Sequence, residues 1–233
     1  VQFLKDKNQT RFQEQNILNL AYAQYEGIGE YDMPVLKPCN VENLDTIPLQ
    51  GFNFAMKDKN RSNKGVHFFL HDYQFERVWN YPDRYVEVLK QYRFVLSPDF
   101  SPYGDMPKAL KIYNVYRNRW CARYWQDNGI DVIPTVTWGD EDALSYCLDG
   151  IPENSTIAIS TMGEGRWGGY KLLLKCYDMI IDKLHPNVVL LYGKDLRSQL
   201  NGNIVYKPIT NSTVEKICQR VEEAENIKRL ITK

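Results

Sequence analysis

From Gly65 onward the chain alternates short apolar, β-branched runs with longer segments of helical period, and this alternation limits the possible folds more than any other feature. The runs lie at residues 66–70, 94–97, 132–136, 156–160, 188–192 and 204–206; the helical segments at 83–91, 107–128, 141–148 and 170–184, with a last one at 213–230. Strands that are apolar on both faces and separated by helices predict a parallel sheet covered on both sides. Right-handed crossovers then bring every strand's C-terminal end to one edge. The expected class is α/β, with about six mainly parallel strands alternating with helices. The pattern leaves open a doubly wound sheet or an incomplete TIM-like barrel. Asp83 after Pro82, Gly129, Asp140 and Gly150 fall where helices should start and stop, and Asp105 is placed to cap the longest one.

Ahead of this body, residues 1–64 read as an irregular N-terminal extension packed on it, with 65–233 as the α/β domain. Phe12, Ile17, Leu18, Leu20, Ala21 and Tyr22 suit one amphipathic helix, and residues 35–37 and 52–56 suit short extended pieces. Basic and acidic residues balance at 29 each, so no global field draws in nucleic acid or an acidic membrane. No apolar run is long enough for a membrane span, and the opening VQFLKDKNQT is too polar for a leader. Five dispersed cysteines without a CxxC pair, most of them in helical segments, suit reduced and buried thiols in a cytoplasm.

The stretch RFVLSPDFSPYGDMP places Asp99 where a buried strand ends, the edge at which ligands of parallel α/β folds bind. The same edge would collect Asp72 and His71 after the preceding run, Ser101 and Tyr103 after Asp99, and Thr137 and Trp138 after the next strand. Asp99 and Asp72 are candidate catalytic carboxylates, as an acid–base pair or as oxygen ligands of a divalent metal. Read structurally, they are capping or Asx-turn residues. Ser101 would bind through its hydroxyl, Tyr103 would sit on a lid-like turn, and Trp138 would wall the pocket.

On the long helix Leu110, Tyr113, Tyr116, Trp120 and Tyr124 share a face that also holds Arg117. That guanidinium would pair with Asp99 or Asp72, hold an anion, or reach the rim of the core. Lys108, Lys111, Arg119 and Arg123 fall on another face, a solvated surface or a nucleic-acid patch. GEGRWG supplies Gly163, Gly165 and Gly168 in GxGxxG spacing between a strand and a helix, without the acidic residue about 20 positions on that a dinucleotide site needs. It is a turn or, with Arg166, an anion-holding loop.

The segments GVHFFLHDYQFERVW, VLSPDFSPYGDMPKAL, GIDVIPTVTWGD and DGIPENSTIAISTMG resemble an uncharacterised bacterial and phage family, the domain of unknown function numbered 4417, over about residues 65–193. The resemblance implies a phage, bacterial or mobile-element origin and carries over no catalytic residue. The residues themselves point to an enzyme acting on a small polar or phosphorylated, nucleotide-like molecule. The rival expectations are a nucleic-acid-binding protein and a partner-binding domain without catalysis.

Overall fold

The computed structural model describes residues 17–162 and 170–209. A hairpin pairs β1 (Gly27–Ile28) with β2 (Met33–Pro34). Then come β3 (Leu49–Gly51), the short helix α1 (Phe52–Ala55), β4 (Gly65–His67), α2 (Arg77–Asn80), α3 (Val86–Leu89), β5 (Phe94–Leu96) and the 20-residue α4 (Lys108–Asp127). The chain continues through β6 (Val132–Ile133), α5 (Leu144–Cys147), β7 (Thr156–Ser160), α6 (Lys171–Leu184), β8 (Val188–Gly193) and β9 (Ile204–Pro208).

Strands β3 to β6 form one parallel sheet and β7 to β9 another. A parallel bridge between Thr135 and Ala158 joins the two. Seven parallel strands therefore follow one another in chain order. A doubly wound sheet reverses that order part-way, so the arrangement is that of an incomplete barrel. It is not closed: among the described residues β3 and β9 do not pair.

Burial on both faces explains the continuous apolar runs. Phe94, Leu96, Ile133, Ala158, Leu190 and Tyr192 meet inside the curve of the sheet. Their neighbours Val95, Val132, Ile157 and Val189 face outward against the helices. One outer layer is aromatic, with Phe68 stacked on Trp125 at 5.5 Å and Trp79 edge-on to Trp120 at 5.4 Å. Interior and exterior thus alternate along each strand, the period expected of a two-sided sheet.

Four expectations change. Residues 52–56 are not extended: Phe52 and Ala55, three apart and fully buried, share one face of α1. Residues 35–37 form no strand, and Leu36 is fixed by its N–H donating to the Gly150 carbonyl at 2.8 Å. The sheet also begins ahead of Gly65, because β3 comes from the segment read as an extension. Asp140 caps the turn Glu141–Ala143, accepting from the Ala143 N–H at 2.9 Å, whereas Pro107 rather than Asp105 precedes α4. Cys39, Cys121, Cys147 and Cys176 are buried. Among the described residues no helix is long and apolar enough to cross a membrane. The segment at 213–230, with Cys218, and the residues ahead of Ile17 lie outside the described residues.

Candidate active site

At the carboxyl end of β5 the backbone ladder gives way to side chains. Ser97 Oγ accepts from the Thr135 N–H at 2.7 Å, and Thr135 Oγ1 donates to the Ser97 carbonyl at 2.9 Å. Pro98 then has no N–H to donate, so strand pairing stops and Asp99 emerges at the edge. The Thr137 hydroxyl, from the segment after β6, donates to Asp99 Oδ1. Burial pushes the Asp99 carboxyl up to about 7, opposed by the Thr137 hydrogen bond and assisted by the negative charge of Asp72. Part of the residue still reaches solvent.

Asp72 opens a single turn after β4 but does not cap it. Its carboxylate crosses to the next loop, where Oδ2 accepts from the Ser101 N–H at 3.0 Å and Oδ1 from the Ser101 hydroxyl at 2.8 Å. Asp99, Asp72, Ser101 and Thr137 therefore form one cluster built from the ends of three adjacent strands.

The loop that carries Asp99 is gripped from behind by α4. Asn118 Nδ2 donates to the Pro98 carbonyl at 2.7 Å, Asn114 Nδ2 to the Ser101 carbonyl at 2.8 Å, and Lys111 Nζ to the Gly104 carbonyl at 2.6 Å. Positions 111, 114 and 118 share a helix face. They meet every third residue of a loop running the opposite way. Each amide is oriented by an arginine: Arg117 Nη2 donates to Asn114 Oδ1 and Arg119 Nη1 to Asn118 Oδ1, both at 2.6 Å. Lys111 also pairs with Asp140.

These contacts relocate several expected roles. Arg117 pairs with Glu76 rather than with Asp99 or Asp72, and lies over the Phe100 ring at 4.0 Å. Lys111 and Arg119 are buried; Arg119 donates to the Asp149 and Cys147 carbonyls, and Arg123 to Asp127 and the Val35 carbonyl. Of that basic face Lys111 and Arg119 are therefore taken up inside the fold, while Lys108 is exposed and Arg123 partly so. Trp138 is buried in the outer core rather than lining an open wall, and Tyr103 is exposed on its turn. Gly163, Gly165, Gly168 and Arg166 lie outside the described residues.

Among the described residues no three or more His, Cys, Asp or Glu side chains are grouped to hold a metal ion. The Asp72 carboxylate is already engaged by two donors, so the expected divalent ion would find two carboxylates and little else. The sequence reading missed Glu76, Asn114 and Asn118. The asparagines' signal in the sequence is the 111–114–118 spacing of polar residues, on a helix whose aromatic positions mark a different face.

Comparison with known proteins places this cluster in context. The chain is 40% identical over 184 residues to the "Gene 1 protein" of Mycobacterium phage L5, covering 77% of this chain and 78% of the relative. It is 36% identical over 182 residues to the "Gene 1 protein" of Mycobacterium phage D29, covering 77% and 66%. No solved structure matches it. The family model described as "Domain of unknown function (DUF4417)" matches residues 25–206, which takes in the hairpin, β3 to β8 and the start of β9. The chain belongs to that family, and its relatives are phage proteins.

Proposed function

We propose that the carboxyl edge of the sheet is the active site of an enzyme that moves a proton on a small polar molecule, with Asp99 as acid–base group. The observation that carries this reading is the placement of Asp99. It is a buried carboxyl on a partly exposed residue at a strand end, held by one hydroxyl and facing a second carboxylate. A group with proton affinity near neutrality exchanges protons at physiological pH without a large driving force either way. Thr137 orients the Asp99 carboxyl, and Asp72 holds Ser101 against the same edge.

The reading favours a substrate recognised by hydrogen bonds. The cations that reach this loop from α4, Lys111 and Arg117, are paired with Asp140 and Glu76. A phosphorylated substrate would depend on Gly163, Gly165 and Arg166. Two of the four residues that suggested a nucleic-acid face, Lys111 and Arg119, are spent inside the fold, which weighs against that reading.

The test is a small-molecule screen by thermal shift at pH 6 and pH 8, repeated on Asp99→Asn. At least one compound class is expected to stabilise the wild type with a pH-dependent shift and to lose that dependence in the variant. Hits and turnover that survive unchanged in Asp99→Asn would remove Asp99 from the chemistry.

A further inference from the structure

Asp99 sits on a loop, and loops place functional groups well only when a rigid element holds them. Here the support is unusually complete. The Pro98, Ser101 and Gly104 carbonyls each receive a side-chain donor from α4, at 2.7, 2.8 and 2.6 Å. All three donors are buried: Asn118, Asn114 and Lys111 are 4%, 4% and 6% exposed. The two amide oxygens accept from Arg119 and Arg117, and the same Lys111 ammonium also donates to Asp140.

The last of these pairs reaches the second strand-end segment. Asp140 lies three residues after Thr137, in the segment that follows β6. Gly139, between them, packs so closely on the loop that an added Cβ would lie 1.7 Å from the Pro102 carbonyl oxygen. Lys111 therefore ties together the two segments that supply Asp99 and its hydroxyl donor.

We infer that Asn118, Asn114 and Lys111 are positioning residues, a buried zipper that fixes the loop of Asp99 against Thr137 and keeps its carboxyl out of bulk water. This rests on the acid–base reading of the site and adds to it where the precision comes from. Arg117 and Arg119, which the sequence suggests as anion binders or surface charges, act through the two asparagine amides by fixing which end of each faces the loop. A satisfied buried network of this kind specifies one conformation more sharply than apolar packing does.

The experiment compares Asn118→Ala and Lys111→Met, at opposite ends of the zipper, with Lys64→Met, which breaks the remote Lys64–Asp58 pair. Two readouts are taken: the Asp99 titration midpoint by carboxyl carbon NMR, and amide hydrogen exchange over residues 98–106 and 137–140. Asp72 and Thr137 are the groups facing Asp99 in every case. Both zipper variants are expected to exchange at least tenfold faster in these segments. The Asp99 midpoint should fall by a unit or more, toward the ordinary carboxylate value, as water enters. Lys64→Met should change neither. Unchanged exchange in a folded zipper variant would overturn the zipper, and faster exchange with an unmoved midpoint would overturn its positioning role. A wild-type Asp99 that titrates like an exposed carboxylate would sink the acid–base reading, while exchange would still judge the zipper. Should Asn118→Ala fail to fold, Lys111→Met alone decides.

Discussion

At Asp99 the cost of burying a carboxylate is set against one hydroxyl donor, with Asp72 adding repulsion, and the balance leaves the proton near neutrality. The two neighbours pull in opposite directions, which makes their removal informative. Thr137→Val deletes a donor that favours the ionised form, so the Asp99 midpoint is expected to rise by about one unit. Asp72→Asn deletes a negative charge, so the midpoint is expected to fall by a similar amount. Carboxyl carbon NMR on the two variants checks both signs, and equal shifts in one direction would contradict the assignment. Asp99, Thr137, Asp72 and Ser101 were legible in the sequence because the ends of apolar runs can be counted. The partners of Arg117 and Arg119 were not, because Glu76 and the Cys147 and Asp149 carbonyls come from other segments and only folding brings them together.

Among the elements, α4 carries two buried faces of opposite character. Trp120, Tyr124 and Trp125 face the aromatic layer, and the polar stripe faces the strand-end loops. A helix buried on both a polar and an apolar side lacks the solvated stripe by which amphipathic helices are recognised. Lys111 and Arg119 therefore read as surface when they are core. Arg119 shows the consequence. It is 1% exposed, burial draws its proton affinity down to about 10, and it donates to backbone carbonyls at and just beyond the end of α5 as well as to Asn118. Arg119→Met keeps the packing but leaves those acceptors unpaired. It is expected to cost about 3 kcal/mol in urea unfolding, against less than about 0.5 kcal/mol for a surface arginine. β3 escaped the sequence reading for a different reason. Three residues, LQG, offer one large inward side chain, and Gly51 opposite His67 leaves no pattern to count.

For the molecule as a whole, two buried titratable groups set opposite pH dependences. His67 lies inside the sheet against Tyr192 at 4.6 Å, with neither ring nitrogen hydrogen-bonded among the described residues. Burial lowers its proton affinity to about 3 from an ordinary 6.5. Its contribution to stability is complete above pH 6.5 and is lost as pH falls toward 3, because the unfolded chain takes up the proton first. Asp99, raised to about 7 from 3.8, does the reverse: its contribution is complete below pH 3.8 and is lost as pH rises through 7. Between about pH 4 and 6.5 the slopes oppose, each at most about 1.4 kcal/mol per pH unit. His67→Phe should therefore gain stability on acidification across that window and Asp99→Asn should lose it, with the wild type flatter than either, as measured by urea midpoints. The unclosed sheet has a consequence of its own at the seam. Lys207, buried on β9, donates to the Asp45 and Ile47 carbonyls just ahead of β3, at 2.7 and 2.8 Å. A single ammonium thus stands where a closed barrel would have an eighth strand's hydrogen bonds. Neutralising it, by substitution or by acetylation, would remove both of these bonds and loosen the seam, and loosened strand margins are templates for joining another copy edge to edge.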